Sequence, residues 1–154
     1  MINDRSVLDS FKALIDVADG DHGASDVARK FLVSIWRSNP FDIMSLSKFD
    51  NENCSHTKRI LDYMFKYGFH YLMNDFEYSK DMERFAIVEF IANKISRGTQ
   101  VNSNIIASIL RLEAQGKDRQ TIAFRTNCKR SLINRVLSLR DKFFPEDRVK
   151  ILIK

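Results

Sequence analysis

The sequence is poor in the residues that usually announce chemistry. Its two cysteines, Cys54 and Cys128, belong to no CxxC pair and no His–Cys cluster, so no zinc-type site is encoded. Cys54 sits in a polar stretch and Cys128 in a predicted turn, which suits free thiols in a reducing compartment better than a disulfide. No run approaches the length of a membrane span. The start, Met1-Ile2-Asn3-Asp4-Arg5, does not place a basic segment before an apolar one, so no secretory leader is expected and the predicted location is cytoplasmic. His56 and His70 lack a carboxylate or thiol companion in sequence, and no motif assembles nucleophile, base and orienting residue. The sequence therefore predicts no enzyme, no cofactor and no metal. Asp19-Gly20-Asp21-His22-Gly23 lacks the spaced ligands and closing Glu of a calcium loop and reads as a turn between helices.

What is present is a globular composition, 44% hydrophobic and 29% charged, with enough chain for one good core or two small ones. Charge is unevenly placed. Residues 97–154 carry 13 Lys and Arg against 5 Asp and Glu, a net +8, whereas residues 1–96 carry 12 against 15, a net −3. Any nucleic-acid surface therefore belongs at the C-terminal end.

Helical spacing of apolar residues dominates the chain. Leu8, Phe11, Leu14, Ile15 and Ala18 mark one face of a first helix, from about Asp4 to Ala18. Ser25 is the candidate cap of a second, with a stripe from Val27 to Trp36, stopped by Ser38-Asn39-Pro40. Phe41–Asn53 reads as a short helix through Met44, Leu46 and Phe49, followed by the polar loop Asp50–Asn53. A third helix is expected after Ser55 with Ile60, Leu61, Met64 and Phe65 inward, continuing irregularly past Gly68 to Leu72. Tyr63, Phe65, Tyr67, Phe69, Tyr71, Phe76 and Tyr78 crowd this region. In a net-acidic segment they are expected to serve core or oligomer contact rather than base stacking. A helix opening at Ser79 is apolar most of the way round and should be central. Arg97-Gly98-Thr99-Gln100 marks the expected boundary between an N-terminal domain, 1–97, and a C-terminal domain, 98–154. At the far end Val149–Lys154 reads as a short strand in need of a partner.

The stretch Gly116–Leu137 carries the functional argument. Asp118 can cap a short helix ending at about Thr126, with Ile122 and Ala123 buried. Asn127 stands where the chain must turn, and Asn tolerates a left-handed conformation. Cys128 would point inward, and a second helix from Lys129 or Arg130 would bury Leu132, Ile133, Val136 and Leu137. Lys129, Arg130, Ser131, Asn134, Arg135 and Ser138 remain outside. A supporting helix is expected from Asn102 or Ser103 to Gly116.

These residues resemble the helix-turn-helix superfamily, and within it the resolvase-like and Hin-like DNA-binding domains. The resemblance spans Asn102–Arg140 and rests on Gly116, Ile122-Ala123, Asn127, Cys128, Arg130, Ile133 and Arg135 in the family's order and spacing. Thr126 stands where an aliphatic residue is usual, and Asn127 where Gly is. The resemblance implies base readers at Arg130, Ser131, Asn134 and Arg135, and phosphate contacts at Lys117, Arg119, Thr121, Arg125 and Lys129. It stops at the binding domain and implies no recombinase chemistry. Ala13–Phe65 is similar to an uncharacterised bacterial domain with a Gly-Asp-x-Gly loop and a Val-Ala-x-x-Phe-Leu-x-x-x-Trp helix, here Gly20–Gly23 and Val27–Trp36. That domain lends no activity.

The expectation is an all-α protein, an N-terminal helical bundle followed by a C-terminal tri-helical module, that binds double-stranded DNA as a homodimeric, phage- or plasmid-like transcriptional regulator. The alternative is an inhibitor or adaptor whose basic module docks on a protein partner.

Overall fold

The computed structural model describes residues 2–37, 39–68, 77–95 and 101–143, and among them every regular element is a helix. In order these are α1 (Arg5–Ala18), α2 (Gly23–Arg37), a 3-10 helix (Ile43–Lys48), α3 (Asn51–Tyr67), α4 (Ser79–Ile95), α5 (Ser103–Ala114), α6 (Arg119–Thr126) and α7 (Arg130–Asp141). The protein is all-α. The strand expected at Val149–Lys154 lies outside the described residues, as do His70, Tyr71 and Phe76.

The chain forms two compact units, Met1–Phe85 and Ala86–Lys154. The sequence suggests a division at Arg97–Gln100, but the units part inside α4. The reason is packing: Val88, Ile91 and Ile95 are buried in one cluster with apolar residues of α5, α6 and α7.

In the first unit α1 packs against both α2 and α3. Asp4 starts α1 by accepting the Ser6 amide at 2.9 Å. Val7, Phe11, Leu14, Ile15 and Ala18 face inward, with Leu8 only half-buried beside them. Where α1 ends, the fully buried Arg29 donates to the Ala18 carbonyl at 2.6 Å, with the Gly20 carbonyl 3.5 Å away. The last carbonyls of a helix lack partners within it and carry its negative end, so a cation satisfies both deficits. Arg84 of α4 grips Asp19 on the same turn with both Nη atoms, Nη2 standing 2.7 Å from Asp19 Oδ2. Gly20 is required here, because a Cβ would stand 2.7 Å from Ser25 Oγ and 3.2 Å from the Val17 carbonyl oxygen.

Several local expectations are corrected. Ser25 does not cap α2; the helix opens at Gly23, and Ser25 Oγ reaches back to accept the His22 amide at 3.2 Å. Asp50–Asn53 is no loop. Asp50 accepts the Asn53 amide at 2.8 Å and caps α3, whose first turn is Asn51–Asn53 and which therefore contains Cys54. The buried line of α3 is Thr57, Ile60 and Met64, so Phe65, expected inward, is 77% exposed. At Gly68, φ is 94° and α3 has ended; its expected continuation to Leu72 lies outside the described residues.

The second unit is built on local stop signals. Asn102 accepts the Asn104 amide at 2.9 Å and opens α5. Gly116, at φ 75°, closes it, with Gly116 N–H on the Glu113 carbonyl at 2.9 Å and Lys117 N–H on the Leu112 carbonyl at 3.1 Å. Then α6 and α7 pack on α5 and on each other around Ile106, Ile109, Ile122, Ile133, Val136 and Leu137. Arg140 of α7 forms an ion pair with Glu113 of α5 and a second with Asp141.

Candidate nucleic-acid interface

The α6–α7 junction begins with Asp118, whose Oδ1 accepts the Thr121 amide at 2.7 Å. That bond, then the Thr121 side chain, holds the Asp118 carboxyl below its ordinary value, and the positive field of Arg130 adds to the effect. Asp118 therefore keeps its charge to a lower pH than an ordinary aspartate. Thr121, half-buried, holds the cap through its amide.

Three residues separate the helices. Asn127 takes the left-handed conformation, φ 53° and ψ 38°, the one described non-glycine residue with positive φ. The amides of Asn127 and Cys128 both donate to the Ala123 carbonyl. Thr126 Oγ1 donates to the Ile122 carbonyl at 2.7 Å, and Cys128 packs on the core from a half-buried position. The half-buried Thr126 hydroxyl is thus bonded to its own helix, which offsets the cost of withdrawing it from water.

On α7, Ile133, Val136 and Leu137 are buried while Arg130, Ser131, Asn134, Arg135 and Ser138 are exposed. At 100° per residue the five exposed positions fall within an arc of about 140°. Lys117, Arg119, Arg125 and Lys129 are exposed as well. Among the described residues none of these four, nor Arg130 or Arg135, lies in an ion pair. Arg140 differs, being committed to Glu113. The face therefore offers flexible, hydrated cations around a short row of hydrogen-bonding side chains.

Two features escape a reading of the sequence. Phe124 of α6 is 88% exposed, higher than any other large hydrophobic side chain described. Its place two residues from Ile122, about 200° round a helix, is the signal that could have found it. The other is a polar latch between α1 and α3. Ser10 Oγ donates to the Ser6 carbonyl at 2.9 Å, lies 3.1 Å from His56 Nδ1 and accepts from Arg59 Nη1 at 3.0 Å; His56 Nε2 is 3.9 Å from Glu52 Oε1. The trio Ser10, His56 and Glu52 has the residue types of a hydrolytic triad, but Ser10 is fully buried and its Oγ already bonds the Ser6 carbonyl and Arg59. The group ties two helices together.

Among the described residues no cluster of His, Cys, Asp or Glu could hold a metal, and no helix is long and apolar enough to cross a membrane. Fold and surface define an all-α protein whose second unit presents a basic, exposed helix pair. The chain belongs to DUF7673, a family of unknown function, whose model matches residues 8–88. That match covers the Gly20–Gly23 turn and α2 and ends inside α4, so α5, α6 and α7 lie beyond it. No curated protein and no solved structure matches the chain.

Proposed function

We propose that the protein is a sequence-specific double-stranded DNA-binding regulator in which α5, α6 and α7 act as a helix-turn-helix, α7 entering the major groove. The observation that carries this reading is the outer face of α7, where Arg130, Ser131, Asn134 and Arg135 are exposed together behind a left-handed Asn127 turn. Arg130 and Arg135 can each give two hydrogen bonds to a guanine edge, and Asn134 can pair with adenine. Ser131 supplies a shorter contact to base or phosphate.

Lys117, Arg119, Arg125 and Lys129 hold phosphates and displace counterions, which makes affinity fall steeply with salt. One such helix reads only a few base pairs, so the regulator acts as a dimer on two half-sites, in the cytoplasm where its DNA is. Selection of bound sequences from a random duplex library at physiological salt tests the reading. An inverted repeat with half-sites about one helical turn apart is the expected product. Recovery without enrichment would overturn it and favour a protein partner for the basic module.

A further inference from the structure

Among the described residues, the most exposed large apolar side chains other than Phe124 lie in the first unit: Ile43 and Met44 on the 3-10 helix and Phe65 on α3. Phe65 continues a stripe. At 100° per residue Cys54, Lys58, Leu61 and Phe65 fall within an arc of about 60°, and their steps of four, three and four are those of a seam between two helices. The 3-10 helix abuts the start of this stripe, the Leu46 carbonyl oxygen standing 3.9 Å from Cys54 Sγ. Apolar surface gathered in this way marks an interaction site.

Charge selects the occupant. From Asp42 to Tyr67 four acids offset four bases, so neither duplex DNA nor a segment of one sign is matched. A second copy is matched. Laid antiparallel about a two-fold axis passing between Arg59 and Ile60, the stripe meets itself large against small, Phe65 on Cys54 and Leu61 on the apolar stem of Lys58. The same register brings Lys58 level with Asp62 of the second copy, and the two-fold makes that pair twice. Lys58 and Asp62 are paired along one helix in the single chain, and both are exposed. We propose that α3 pairs antiparallel with α3 of a second copy through Cys54, Lys58, Leu61 and Phe65, with the 3-10 helix at the edge of the contact. The inference deepens the DNA reading and rests on it for the use of two copies; the pairing itself is measured without DNA.

Sedimentation of the full-length protein in reducing buffer tests it. The parent should show a monomer–dimer equilibrium. Phe65→Ser should weaken the dimer about tenfold or more, as truncation of an aromatic anchor does, and keep the parent's helical circular dichroism. Phe124→Ser should leave the dimer unchanged. Lys58→Glu should weaken it, and Lys58→Glu combined with Asp62→Lys should recover it. Under mild oxidation Phe65→Cys should crosslink into a covalent dimer through the native Cys54, and Phe65→Cys combined with Cys54→Ser should not. A parent that stays monomeric at the highest concentration reached, equal dimerisation by folded Phe65→Ser, or a crosslink that survives the loss of Cys54 would overturn the proposal. A dimer lost in Phe65→Ser, in a protein that enriches no duplex sequence, would uphold the interface and remove the DNA reading.

Discussion

The amide of Cys128 donates to the carbonyl of Ala123 at 3.2 Å, closing the turn over Asn127. Because Asn127 sits at φ 53°, a β-branched residue there is strained, while Gly is at ease. Asn127→Val should lower the stability of the second unit by about 1–3 kcal/mol. Asn127→Gly should leave it unchanged or slightly higher. Urea denaturation followed by helical circular dichroism checks both.

Arg130 and Asn134 lie on the exposed arc of α7 and support no neighbour in the core. Arg130→Ala and Asn134→Ala should each keep the parent's melting temperature and lose discrimination between the selected site and a single-base variant by about 1–3 kcal/mol. Lys129→Ala should weaken all duplexes alike and reduce the salt slope by about one. Footprinting and salt titrations measure these effects. An unchanged footprint with both α7 variants would remove them from the reading face.

Asp118 places an anion among these cations, close enough to Arg130 to feel its field. Asn at this position keeps the oxygen that caps α6 and drops the charge. Asp118→Asn should bind duplex DNA about two- to threefold more tightly at low salt, from relief of one like-charge interaction. The carboxyl is depressed in the folded chain, so its contribution to stability is complete above the ordinary value of 3.8 and is lost as pH falls through the lower folded value. Acid titrations of the two proteins should therefore converge at low pH.

Arg140 is basic and on α7, yet its partner is Glu113. Arg140→Ala should reduce stability by about 0.5–1 kcal/mol, as a partly exposed ion pair allows, without the affinity loss expected of Arg135→Ala. Equal affinity losses in the two variants would put Arg140 at the DNA.

Arg29, fully buried, holds the Ala18 carbonyl at 2.6 Å. Arg29→Met retains length and apolar contact but strands that carbonyl at the end of α1. The expected destabilisation is about 1–3 kcal/mol, read from chemical unfolding.

The sequence reveals α5, α6 and α7 because their limits are local. Asn102 and Asp118 accept amides two and three residues ahead, and Gly116 and Asn127 supply the left-handed turns. Their exposed cations follow from the same periodicity. The start of α3 was less legible because Asp50-Asn51-Glu52-Asn53 is polar whether it forms a loop or a capped first turn. Phe65 shows a second limit. Ile60, Leu61, Met64 and Phe65 have helical spacing, but contact with α1 selects the narrower line through Thr57, Ile60 and Met64. The latch at Ser10 joins residues 46 and 49 positions apart, which no local pattern contains.

Since α4 gives Val88, Ile91 and Ile95 to the second core, the basic module has no clean seam on its N-terminal side. Gene shuffling meets the same constraint: the module is portable only with the Ala86–Ile95 half of α4 attached.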